Sequence, residues 1–188
     1  MKNKQVMNRQ TSSKELHLIS CGWEKCTPEQ SYGLVSGDIT PSFCAERTGI
    51  FLYEQPEIYL KAGQCFFIPP MTSSLYKAEP SDPWTYIWIC FNGENAPTLC
   101  EHCHLTGETP VQQLNSVLPY QETILEMMAH PQLTPSGEAY IQSGLYRIIA
   151  LLEEEFHASY TTMESNDNFY ITQAVDYIKK KVRYRISL

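Results

Sequence analysis

Thr85-Tyr86-Ile87-Trp88-Ile89-Cys90-Phe91 alternates without a break. Successive side chains of a strand point to opposite faces, so Tyr86, Trp88 and Cys90 share one side and Ile87, Ile89 and Phe91 the other. One face is aliphatic and suits a core. The other carries rings with polar handles and suits a pocket. Upstream the same texture repeats in short apolar runs at residues 16–21, 42–46, 49–53, 57–60, 65–68 and 74–77. Gly or Pro punctuates the gaps, and Pro69, Pro70, Pro80 and Pro83 forbid helix there. Short, evenly spaced strands with turn signals predict an all-β sandwich or barrel.

The texture changes after Asn92-Gly93. Residues 118–129 have helical spacing, and residues 138–156 form the clearest helical pattern in the chain. Ile141, Leu145, Ile148, Leu152 and Phe156 recur at spacings of four, three, four and four, a single stripe along one face. Ser136 is the expected N-cap, with Pro135 ending any earlier helix. Such a stripe can pack against its copy in a second subunit or against the barrel's own flank; it is read here as the dimerisation surface. Residues 159–169 are polar and read as a linker. Ile171, Ala174, Val175, Ile178 and Val182 then outline a further amphipathic helix, with Lys179, Lys180 and Lys181 at its C-terminal end, where the helix dipole favours cations. A helix at the very end with nothing to pack against is expected to be the start of a truncated domain. Residues 1–14 read as a polar, mobile arm.

Composition bounds the function. The 188 residues are 43% hydrophobic and 19% charged, with 12 Tyr and 3 Trp, which is ordinary globular chemistry rich in rings. The net charge of -7 repels phosphate backbones, so strong nucleic-acid binding by this chain alone is not expected. No apolar stretch approaches bilayer length, and the N-terminus lacks the apolar core of a signal peptide; a cytoplasmic location is expected. The seven cysteines lie largely in apolar runs (Cys44, Cys65, Cys90) and read as small buried hydrophobes.

Three segments resemble the sensor domain of AraC-type transcription regulators. They are Cys21-Gly22-Trp23-Glu24-Lys25-Cys26-Thr27-Pro28 with Ser31-Tyr32-Gly33, then residues 60–70, then Asp82 to Gly93. Residues 171–188 resemble the first helix of that family's helix-turn-helix domain. The resemblance implies a cupin-like antiparallel β-barrel (a double-stranded β-helix or jelly roll) that binds a small effector, followed by a helical dimerisation region. The expected organisation is an arm (1–14), a barrel (15–93), a helical region (94–158), a linker (159–169) and the first helix of a DNA-binding domain (170–188). Tyr86 and Trp88 match positions that contact the sugar in the arabinose regulator, and Tyr76 a third. These three are the expected ligand contacts, with simple filling of the barrel as the alternative. The partners implied are a small effector of carbohydrate type, a second copy of the chain, and DNA only through the domain not present here.

Departures from the family pattern keep other readings open. Gly37 stands where many members carry an Arg, Pro41 interrupts the next strand, and Glu46-Arg47-Thr48-Gly49 replaces a Gly-Lys-Gly hairpin. A ligandless dimerisation module is therefore the alternative. A metal-dependent cupin enzyme needs several His on inward strands, and of His17, His102, His104, His130 and His157 only His17 falls in an expected strand. No cofactor, metal or catalytic residue is assigned. Cys100-Glu101-His102-Cys103-His104 has the spacing that attaches haem, but it reads as an ordinary surface segment or an adventitious metal site.

Overall fold

The structure is a computed structural model describing residues 4–7, 13–35, 38–53, 57–130 and 134–156. The expected linker, the basic helix with Lys179 to Arg185, Gly37 and His157 lie outside the described residues. Among the described residues there are ten strands: β1 (Lys4–Met7), β2 (His17–Lys25), β3 (Ser31–Val35), β4 (Thr40–Glu46), β5 (Thr48–Leu52), β6 (Glu57–Lys61), β7 (Gln64–Ile68), β8 (Ser73–Ala78), β9 (Thr85–Asn92) and β10 (Val111–Gln113). They form two antiparallel sheets ordered β1-β2-β9-β4-β7-β10 and β3-β8-β5-β6. The chain changes sheet at six of the nine connections between these strands, as a cupin-like barrel requires.

Two of those connections show how the sequence permits the crossing. Between β4 and β5 the backbone turns at Arg47, whose φ is 65°. Its guanidinium pairs with Asp82 at 3.3 Å, and its carbonyl accepts from the Ala62 amide. Residues 46–49, which replace the family's hairpin, are therefore a crossing between sheets. Gly49 lies in β5, pressed against Trp84. Between β6 and β7, Gly63 takes φ 90°, a left-handed conformation that costs glycine nothing.

Pro41 does not break its strand. It sits inside β4, opposite Phe67 of β7, and its missing N–H falls on the β9 side. There the ladder skips from the Ile39–Phe91 bridge to the Ser42–Trp88 pair. Four residues expected in the mobile arm are also ordered differently. Lys4–Met7 is an edge strand on β2, in register from Lys4 opposite Trp23 to Met7 opposite Ser20. Its polar side chains gave no strand signal because an edge strand needs only one buried side chain, here the half-buried Val6.

Three helices follow: α1 (Ala96–His102), α2 (Leu118–Ala129) and α3 (residues 135–156). α3 starts at Pro135, not after Ser136. Thr134 is its cap, its hydroxyl accepting from the Gly137 amide at 3.0 Å and its carbonyl from the Glu138 amide at 2.9 Å. Proline at the first helical position is pre-set for the helix and loses no bond.

α2 and α3 cover the outer face of the larger sheet. Ile87, Ile89 and Phe91 meet them in one core, and Tyr120 of α2 stacks on Phe43 of β4 at 4.7 Å. The five stripe residues read as a dimer surface are in this core. Ile141, Leu145, Ile148, Leu152 and Phe156 are at most 5% exposed in the single chain, so they are already spent on the barrel's flank. Burial of such side chains contributes about 1.5–3 kcal/mol each, which decides where the stripe goes. The helical period marks the face that the single chain lays on its own barrel. Gln142 Nε2 ties α3 down by donating to the Leu16 carbonyl at 2.9 Å.

Candidate functional site

A second core fills the space between the sheets: Cys26, Cys44, Phe51, Leu60, Phe66, Ile68, Ala78, Trp84 and Tyr86, with Tyr76 and Trp88 partly buried against it. The alternation of β9 holds, since Tyr86 and Trp88 face the barrel while Ile87 and Ile89 face the helices. The structure brings the three expected contacts together. Tyr76 on β8 meets Tyr86 on β9 edge-on at 5.7 Å, and Tyr86 meets Trp88 at 5.4 Å. Tyr86 is buried, while Tyr76 and Trp88 are intermediate.

Three further residues join this cluster. Glu24 of β2 lies opposite Tyr86 in the ladder and therefore faces inward. Its carboxylate accepts from Tyr32 Oη at 2.8 Å and Gln30 Nε2 at 2.8 Å, and at 3.4 Å from Tyr86 Oη. Gln30 Nε2 also donates to Tyr32 Oη at 2.6 Å, and its own carbonyl is fixed by the Thr27 amide at 2.9 Å. Tyr32 closes the ring by lying 5.6 Å from Tyr76. Sequence reasoning missed these three because the contact exists only once β3 folds over β2. The usable signal was the Gln30-Ser31-Tyr32 spacing, which sets Gln30 at the entrance of β3 two residues before Tyr32.

The phenols remain donors. Burial, then the hydrogen bond to Glu24, pushes Tyr32 up to about 12. Burial raises Tyr86 further still, followed by the neighbouring Tyr76 phenol and the Glu24 carboxylate. Burial raises Tyr76 as well. Rings that stack, phenols that donate and a carboxylate that accepts can together hold a small ring bearing hydroxyls.

The barrel is polar further along too. Ser42 is paired with Trp88 and Phe66, and Ser74 lies two residues before Tyr76, so both face inward. The hydroxyls of Ser42 and Ser74 are buried without a protein partner. Near the far end Asn92 Nδ2 donates to Asp38 Oδ1 at 2.7 Å.

The Cys100–His104 segment is not the surface stretch expected. Cys100 and Cys103 are buried in the helix-side core at 4% and 0% exposure, and Cys103 Sγ donates to the Ile149 carbonyl at 3.5 Å. Burial pushes both thiols up to about 12. Among the described residues no three His, Cys, Asp or Glu side chains form a metal-binding group. Nor is any helix among them long and apolar enough to cross a membrane.

Two antiparallel sheets closed around an aromatic, hydroxyl-rich interior define a cupin-like barrel of the kind that holds a small molecule. Residues 44–164 match the AraC-like ligand binding domain, and the chain belongs to that family. It is 31% identical over 163 residues to the Msm operon regulatory protein of Streptococcus mutans, 82% of this chain and 56% of that protein. It is 23% identical to the lactose operon transcription activator of Staphylococcus xylosus, over 93% of this chain and 63% of that one. The raffinose operon transcriptional regulatory protein RafR of Pediococcus pentosaceus is 24% identical over 88% of this chain and 62% of its own length. The chain thus spans about 60% of the length of these curated relatives. Among solved structures, a Cupin 2 conserved barrel domain protein from Salinispora arenicola overlaps 49% of this chain and 75% of its own, with 12% identity and a TM-score of 0.39, which adds nothing to the topology above.

Proposed function

We propose that this chain is the effector-sensing part of a cytoplasmic transcription regulator, and that its barrel binds a carbohydrate against Tyr76, Tyr86 and Trp88. The observation that carries the reading is the convergence of these rings with the Glu24 carboxylate at one end of the barrel. Relatives named for lactose and raffinose operons support a sugar. The continuity of β4 through Pro41 weakens the case for a barrel that has lost its ligand.

The regulator works as a homodimer whose DNA-binding domains lie outside this chain, and effector binding shifts the balance between two dimer arrangements. With the α3 stripe buried, a second copy meets the opposite face of α3. Tyr140 and Tyr146 stand 49% and 44% exposed there.

Isothermal titration of the chain with galactose, lactose and raffinose tests the sensing role. Binding by one of them, weakened at least tenfold in Trp88→Ala at unchanged Tm, is the expected result. No binding across the panel, or equal binding by Trp88→Ala, refutes it. Light scattering of wild type and Tyr146→Glu tests the dimer: wild type is expected at twice the chain mass and the variant at once.

A further inference from the structure

We infer that Glu24 is the specificity-determining residue of the barrel and that it restricts the effector to an unphosphorylated sugar. This rests on the sensing reading above and goes beyond it by fixing the ligand's charge. Three observations carry it.

The first is that the carboxylate is built into the site. It faces inward opposite Tyr86, and Gln30, Tyr32 and Tyr86 all donate to it. Three phenol and amide donors pointed at one carboxylate hold it in a single orientation beside the rings. The 3.4 Å approach of Tyr86 is the loosest of the three and the one a ligand hydroxyl can replace.

The second is the placement of positive charge. The six Lys and Arg whose side chains are described lie outside the barrel. Lys14, Lys25, Arg47, Lys61 and Arg147 are exposed, and Lys77 pairs with Glu57 at 3.7 Å. Among the described residues no cation is therefore available to meet a phosphate held against Tyr76, Tyr86 and Trp88.

The third is the character of the remaining lining. The hydroxyls of Ser42 and Ser74, buried and without protein partners, suit a neutral polar ligand. A phosphate within about 6 Å of Glu24 would feel a repulsion worth roughly a hundredfold in affinity at the effective dielectric of a partly buried site. It would also lose its hydration without a counter-charge.

The test titrates the full 188-residue chain and its Glu24→Gln variant with galactose, lactose, raffinose and galactose 6-phosphate. Glutamine keeps the shape but loses the charge and one acceptor oxygen. The expected result is that wild type binds a neutral sugar and not the phosphate, while Glu24→Gln binds the same sugar at least tenfold more weakly at an unchanged Tm. If galactose 6-phosphate binds wild type as tightly as the neutral sugars, or Glu24→Gln holds its sugar within twofold, the inference falls and sugar sensing stands. If no member of the panel binds wild type, both fall. Should Glu24→Gln unfold, Tyr32→Phe replaces it. That variant removes one donor to the carboxylate, and it is expected to change sugar affinity at least threefold; an unchanged affinity would overturn the inference.

Discussion

Gly49→Ala should be among the most damaging single-methyl additions in the barrel. A Cβ at that position would stand 2.0 Å from Trp84 Cε3 and 2.3 Å from Cδ2 and Cζ3. Carbon atoms rest at about 3.5–4.0 Å, so the indole would have to retreat by about 1.5 Å. It has nowhere to go. Trp84 is fully buried, Phe66 stacks on it at 5.5 Å with 16° between the planes, and Tyr86 closes in at 5.1 Å. Overpacking usually costs about 1–3 kcal/mol. A rigid ring struck at three atoms belongs at the top of that range, so about 3 kcal/mol is expected. At about 2–4 °C per kcal/mol for a domain of this size, Tm should fall by about 6–12 °C. Urea unfolding followed by tryptophan fluorescence measures it. The companion Trp84→Leu removes the ring, so the double variant should be less destabilised than the sum of the two singles by at least about 1 kcal/mol. A cost below about 1 kcal/mol for Gly49→Ala, or strict additivity, would refute the clash.

Tyr120→Phe should be neutral or stabilising, because the Tyr120 hydroxyl is buried without a partner while its ring stacks on Phe43; a loss above about 1 kcal/mol in urea unfolding would show a bond was broken. Stability should fall with alkalinity. Burial pushes Cys21, Cys26, Cys44, Cys65, Cys100 and Cys103 up to about 12 from an ordinary 9.0. A folded-state value raised in this way gives stability that is present below pH 9 and lost as pH rises toward 12. Melts in reductant should therefore show Tm dropping between pH 9 and 11, and a flat profile would contradict the burial. The same thiols should react with a disulfide reagent at pH 8 only after denaturation.

Legibility followed how local the physics was. The alternation in β9 and the helical period in α2 and α3 are properties of a few consecutive residues, and both were readable. So were the buried cysteines. What the α3 stripe touches is decided by a sheet over 50 residues away, and nothing within the helix distinguishes its own barrel from another chain. Cys100 and Cys103 were misplaced for the same reason: α1 looks polar until α3 is laid across it. Glu24 lies in β2, Tyr32 in β3 and Gln30 just before β3, and only the fold makes them one group. Tyr76, Tyr86 and Trp88 were found through resemblance, and the structure adds that their rings touch.

β9 runs between β2 and β4 in the middle of its sheet, with Trp88 turned to the barrel interior and Ile87 and Ile89 turned to the helices. Barrel lining and helix seat are thus adjacent residues of one strand, their Cα atoms about 3.8 Å apart. Close-packed surfaces transmit small displacements instead of absorbing them. A displacement of the Trp88 indole would therefore reach the seat of α3 through Ile87 and Ile89, one peptide unit away on either side.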